Sequence, residues 1–232
     1  LPGRQEEFLK TLYDTGKPVV LVLTCGSPVE ISWAKEHLPA ILVAWYPGEE
    51  GGNAIADVLF GKYNPAGRLP VTFVKSLAQL PAFEDYNMQG RTYRFMNEQP
   101  LYYFGYGLSY TMFKYSNLQM NSSKIKAGEQ VTVTTDLENT GAVTGDEVVQ
   151  LYVRDVRASV PVPHLHLEGF ERISLKPTEK KTICFTLAPE NLAAYDNNGK
   201  PFIEPGKFSI SVGGGQPCDP ECKTLTASLI IT

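Results

Sequence analysis

Two carboxylates stand side by side in the stretch Trp45-Tyr46-Pro47-Gly48-Glu49-Glu50-Gly51-Gly52. Paired acids are what general acid–base chemistry uses, so Glu49 and Glu50 are the first residues to weigh. Adjacent positions point in different directions, which makes it hard for both to serve one substrate. Both also precede a helix pattern beginning near Gly52, where the positive end of the helix dipole favours negative charge. Gly51 and Gly52 permit the sharp turn from strand to helix. Catalysis, shaping of a nearby pocket and plain support of the helix start all stay open, and Glu50 is the better candidate for a supporting role.

A second group is richer. Tyr86, Asn87, Met88, Arg91, Tyr93 and Arg94 fall within nine residues of "FEDYNMQGRTYRF". Aromatic faces stack on the C–H surfaces of sugars, and polar forks meet their hydroxyls. Tyr86, Met88, Arg91 and Tyr93 are the candidate substrate-binding residues, with Arg91 and Tyr93 favoured. The opposing expectation is that they pack an interface, as the adjoining "PLYYFGYGLSYTMF" does. Arg68, in the turn "NPAGRLP", would either pair with an acid of a part missing from this chain or lie solvated on the surface.

Other chemistries are excluded. The histidines His37, His164 and His166 are scattered, and no Cys–His cluster with metal-ligand spacing occurs, so neither a metal nor a cofactor is expected. Cys25 and Cys184 lie in apolar strand patterns and read as buried free thiols. Cys218 and Cys222, in "PCDPEC", could form a small disulfide. The chain has 21 basic and 25 acidic residues, a net charge of −4, and no basic stripe of the kind a nucleic-acid binder needs. Its longest apolar runs are strand-length, so no membrane span is expected. Asn121-Ser122-Ser123 is a glycosylation sequon, meaningful only in a secreting eukaryote.

The elements that must position these residues change period along the chain. "RQEEFLKTLYD" puts Phe8, Leu9, Leu12 and Tyr13 on one helical face, with Gly16 as its stop. "PVVLVLT" and "AILVAWY" are β-branched runs typical of parallel strands buried on both faces. "SPVEISWAKEH" predicts a helix with Ser27 as N-cap and Glu30 closing a capping box. "GGNAIADVLFG" predicts another, turning Ile55, Val58 and Leu59 inward, and "LPVTF" predicts a further strand. From about residue 115 the period becomes two: "VTVTTDL", "EVVQLYVRDV", "KTICFTL" and "KFSISVG" alternate, separated by turn signals. The fold class is therefore α/β plus all-β. Residues 1–80 form part of a parallel α/β layer, 81–114 an aromatic-rich connection, and 115–232 a β-sandwich of fibronectin type III-like build.

Taken together, "LPGRQEEFL", "PVVLVLTCGSPVEISWA", "WYPGEEGGNAIADVLFGKYNPAGRLPVT", "GRTYRF" and "PLYYFGYGLSYTMFKYSNL" resemble the C-terminal portion of glycoside hydrolase family 3. Within that family, the "FEDYNMQGRTYRF" loop is most similar to β-xylosidases and α-L-arabinofuranosidases; many β-glucosidases differ there. The resemblance implies a (β/α)8 barrel before this chain, then an α/β sandwich whose later part is present here, then the fibronectin-like domain. It also implies a retaining exo-glycosidase that uses a barrel Asp as nucleophile and a sandwich Glu as acid/base, about 5–5.5 Å apart. No position here matches either catalytic carboxylate, and the chain opens as though a preceding part were missing. The expectation is an inactive C-terminal fragment of an enzyme releasing xylose, arabinose or glucose from plant-derived oligosaccharides. Its partners would be the oligosaccharide, met by the complete enzyme, and the missing N-terminal barrel. A stand-alone carbohydrate-binding or adhesion module, and one chain of a split glycosidase, are the alternatives. The resemblance further implies a periplasmic or secreted location, although no signal is visible.

Overall fold

A computed structural model describes residues 1–232. The first helix, α1 (Gln5–Tyr13), leads into strand β1 (Val20–Leu23), helix α2 (Ser32–His37), strand β2 (Ala40–Val43) and helix α3 (Gly51–Leu59). β1 and β2 pair in parallel, Val20 against Ala40 through Leu23 against Val43. That is the α/β layer the periodicity predicts, and its core gathers Leu9, Leu23, Ile31, Ala34, Leu38, Phe73 and Leu101.

Details differ from the sequence expectations. The parallel strands are half-exposed rather than buried on both faces, because the sheet has two strands and no further neighbour to cover it. Of the α1 face, only Leu9 is buried, while Phe8 is 65% exposed. Similarly, Leu59 of α3 is exposed rather than turned inward. Helix α2 begins at Ser32, not after Ser27. Glu30 caps from two residues away, its Oε1 accepting from the Ser32 N–H at 3.1 Å, and the hydrogen bonds of Ser32 hold its carboxyl below the usual range. "LPVTF" forms no strand. It makes a single bridge, Phe73 to Tyr102, so the aromatic connection folds back over it.

After the short helix α4 (Thr92–Phe95) come β3 (Phe113–Met120), β4 (Lys124–Ile125), β5 (Val131–Asn139), β6 (Gly145–Asp155), β7 (His166–Leu175) and β8 (Lys180–Leu187). The two-residue strands β9 (Ala194–Tyr195) and β10 (Pro201–Phe202) pair with each other, and β11 (Gly206–Gly213) and β12 (Thr224–Ile231) complete the fold. One sheet runs β4-β12-β11-β6-β7 and the other β3-β5-β8. The period-two pattern sets the inward faces. Val131, Val133, Thr135 and Leu137 of β5 are all at most 1% exposed, and the three aliphatic ones meet Phe208, Ile210 and Val212 of β11 in a core of 16 residues. Each fully buried aliphatic side chain there contributes about 1.5–3 kcal/mol of transfer free energy.

The same alternation corrects the reading of Cys184. Ile183 and Phe185 take the inner side of β8, and Cys184 is an exposed thiol. Cys25 is half-buried, and Cys218 and Cys222 are free thiols rather than a disulfide. His166 opens β7.

Candidate functional site

The aromatic connection is built around one guanidinium. Arg91 Nε donates to the Asn87 carbonyl at 3.1 Å and Nη2 to the Ala82 carbonyl at 3.0 Å, with a further bond from Nη2 to the Asp85 carbonyl. Asp85 closes the other side: its Oδ1 accepts the Asn87 backbone N–H at 2.9 Å and its side-chain amide at 2.7 Å. Those bonds, the backbone one first, hold the Asp85 carboxyl below its ordinary range. Residues 82–91 therefore form a compact loop that satisfies its own carbonyls.

The loop leaves its apolar tips bare. Phe83 and Tyr86 are each 89% exposed, and Met88 is 49% exposed. Tyr93, by contrast, is anchored. Its ring stacks on Phe104 with centroids 4.4 Å apart and planes at 11°, and meets Tyr152 edge-on at 6.2 Å. Its hydroxyl accepts the Leu167 N–H at 3.2 Å. The four candidates thus separate into two pairs: Tyr86 and Met88 face outward, while Arg91 and Tyr93 are committed to contacts within the chain.

Between them, Thr92 has φ +54°. A β-branched residue in the left-handed region is a conformational outlier, and such strain collects at functional sites. A second outlier, Trp45 at φ +53°, follows the end of β2 and packs against Phe73.

Glu49 and Glu50 sit where the helix pattern predicts, both exposed, immediately before α3. Neither caps a backbone N–H through its side chain. Glu50 Oε2 instead accepts from the Asn53 side-chain amide at 2.5 Å. The two acids frame no shared site.

Arg68 corrects a sequence expectation, since it is neither solvated nor waiting for an acid beyond this chain. Its Nη2 lies 3.0 Å from Glu147 Oε2 in the β-sandwich, and both side chains are less than a tenth exposed. The sequence carried no signal for this pair, whose members are 79 positions apart. Phe104, the platform for Tyr93, is one of many aromatics in its stretch, and residue type alone does not distinguish it.

A cleft of about 660 Å³ lies away from the aromatic loop, between β2, α3, the turn Pro65–Leu69 and Tyr102–Leu108. Successive residues Ala40–Trp45 line it, drawn from both faces of the sheet, which is the geometry of an open strand edge. Its lining is mostly apolar, with Lys35, Arg68, Arg172 and Glu221 as the charged members.

Residues 1–110 match the glycosyl hydrolase family 3 C-terminal domain, and residues 147–216 match a fibronectin type III-like domain. A β-xylosidase of Formosa agariphila is 42% identical over 234 residues, covering 99% of this chain and 32% of that protein. A periplasmic β-glucosidase of Salmonella typhimurium is also 42% identical, covering 92% of this chain and 29% of its own length. Among solved structures, a β-glucosidase of Erythrobacter marinus superposes with a TM-score of 0.88 at 39% identity, over all of this chain and 30% of that one. The chain spans about a third of the length of the curated relatives it matches.

Proposed function

Since the chain belongs to glycoside hydrolase family 3, we propose that it is the C-terminal part of a retaining, exo-acting glycosidase that releases xylose, or arabinose or glucose, from the non-reducing ends of plant-derived oligosaccharides. One observation carries this reading. Xylosidases and glucosidases match the chain almost end to end, while the chain accounts for under a third of their length. The nucleophile and proton donor belong to the remaining polypeptide, because double displacement needs two carboxyls about 5–5.5 Å apart across a sugar. Glu50 is occupied with Asn53 at the start of α3, and Glu49 stands exposed beside it.

In this arrangement the loop 82–91 lines the sugar site. Tyr86 and Met88 offer the stacking surface, Arg91 holds the loop's shape, and Tyr93 fixes it to the sandwich. The fibronectin-like sandwich braces the α/β layer through Arg68 and Glu147. The preference for a pentose rests on the "FEDYNMQGRTYRF" loop and on xylosidases among the relatives. A periplasmic or secreted location rests on one relative whose name says periplasmic. No helix is long and apolar enough to cross a membrane.

The test is an assay of the purified 232-residue chain on aryl β-xylosides and β-glucosides, beside the same chain joined to an N-terminal barrel and the earlier part of the α/β sandwich. The chain alone should give no turnover and the joined polypeptide should turn over. Unambiguous hydrolysis by the chain alone would refute the proposal. In the joined enzyme, Tyr86→Ala should raise KM for the xyloside about tenfold, the equivalent of a stacking contact worth about 1.4 kcal/mol.

A further inference from the structure

Strand β7 departs from regular pairing at one place. Leu151 of β6 pairs with Gly169, but Tyr152 pairs with Leu167, so Glu168 is an extra residue opposite nothing. A bulge of this kind bends the strand, re-aims side chains and is over-represented beside active sites. Here it brings the Leu167 N–H to the Tyr93 hydroxyl. Three residues earlier, the His164 N–H donates to the Arg94 carbonyl at 2.6 Å. The bulged strand end thus grips α4 at two consecutive residues, directly behind the loop that carries Tyr86 and Met88.

The bulge residue is itself tied down. Glu168 Oε1 meets His166 Nδ1, and Oε2 accepts from the Asn191 side-chain amide at 2.5 Å. Asn191 Oδ1 in turn accepts the Ala188 N–H at 2.8 Å, which anchors the cluster to the short helical turn Pro189–Leu192. The side chains of His166 and Glu168 are 16% and 19% exposed, so their attraction is screened less than that of a surface pair. Burial pushes the Glu168 carboxyl up, but the hydrogen bonds from His166 and Asn191 outweigh it and hold it below the usual carboxylate range. Other charges bear on the pair: Arg94 of α4 also favours the Glu168 anion, and Asp155 at the end of β6 faces His166, with Glu204 beside it.

The geometry points to Glu168 as a positioning residue: pinned by His166 and Asn191, it holds the bulge that fixes Tyr93 and thereby the orientation of the Tyr86–Met88 loop. The inference rests on the reading that this loop meets sugar.

Hydrogen exchange of the full chain tests this. Glu168→Gln should lower the protection of Leu167 and of residues 82–96 by about tenfold, the size of one lost charge-assisted bond, while the amides of β5 and β11 stay protected. Tyr93→Phe, which keeps the ring stack, should likewise lower loop protection. Loop protection indifferent to Glu168→Gln would overturn the inference, as would losses spread equally through the sandwich. In the complete enzyme, Glu168→Gln should raise KM for an aryl xyloside with little change in kcat. If loop protection responds while KM does not, the positioning role stands and the sugar reading of the loop falls.

Discussion

Arg68 in the turn after α3 and Glu147 at the start of β6 meet at 3.0 Å with 9% and 5% of their side chains exposed, forming a buried ion pair between the α/β layer and the β-sandwich. Tyr115 completes it, donating its hydroxyl to Glu147 Oε1 at 3.0 Å. Burial raises the Glu147 carboxyl despite Arg68 and Tyr115, so desolvation exceeds what its two partners return. Arg68 Nε, moreover, is buried without an acceptor. Removing one partner strands the other charge, and Glu147→Ala should cost about 3–5 kcal/mol. The pair Arg68→Met with Glu147→Leu should cost less than either single truncation. Urea unfolding of Arg68→Met, Glu147→Leu and the double variant decides it; a double variant at the sum of the singles would show that the two side chains are not coupled and would contradict the account.

Much of the sandwich was legible because its rule is local. Alternation in "VTVTTDL" assigns Val131, Val133, Thr135 and Leu137 to one face whatever lies opposite, and all four are buried there. The α/β layer was legible in its order of elements and less so in their limits. Ser27 and Glu30 carry the types of a capping box, but the Glu30 side chain turns to the Ser32 N–H and the helix starts there. "LPVTF" has strand composition, yet Phe73 meets its partner Tyr102 far along the chain and through one bridge only. The aromatic loop was visible as a cluster of chemistry. Which of its members point outward depends on the bonds from Arg91 to three carbonyls and on Phe104 beneath Tyr93, contacts that residue types do not encode.

Asn139 ends β5 wholly buried, with every hydrogen-bonding site of its amide used. Oδ1 accepts from Thr111 Oγ1 at 2.6 Å and from the Gly141 N–H at 3.0 Å, and Nδ2 donates to the carbonyls of Val143 and Leu175 at 2.9 and 3.0 Å. Asn139→Ala leaves these partners unsatisfied and should cost about 3 kcal/mol. Asn139→Asp should not rescue it, because a carboxylate would face two carbonyl oxygens. Denaturant midpoints for the two variants supply the check, and an Asp variant near wild-type stability would contradict the account.

Acid stability should depend on Asp136. Lys180 Nζ, Thr182 Oγ1 and Asn117 Nδ2 approach its carboxylate at 2.9, 2.7 and 2.6 Å, tying β3, β5 and β8 together. These hydrogen bonds, that of Lys180 first, hold its pKa at about 2. A carboxyl lowered on folding contributes stability above its unfolded value, and that contribution drains away as pH falls toward the folded one. Wild type should therefore lose stability between about pH 4 and about pH 2 more steeply than Asp136→Asn. The two curves should converge near about pH 2, as thermal melts across that range would show. Parallel curves would mean that the network does not titrate as a unit with folding.

The backbone of Thr92 gives the last prediction. At φ +54° its Cβ crowds the following carbonyl, a cost of about 1–2 kcal/mol for any residue but glycine. Its hydroxyl offsets little, accepting the Arg94 N–H at 3.3 Å. Thr92→Ala keeps the strain and loses that bond, so it should destabilise. Thr92→Gly removes the strain at the expense of a more flexible unfolded chain, and should be more stable than the alanine variant by about 1 kcal/mol. If the strain also holds Tyr93 over Phe104, the glycine variant will show faster exchange of the 82–96 amides even as its melting temperature rises above that of Thr92→Ala. An alanine variant equal to or more stable than the glycine one would mean that the left-handed turn at Thr92 is not maintained against strain.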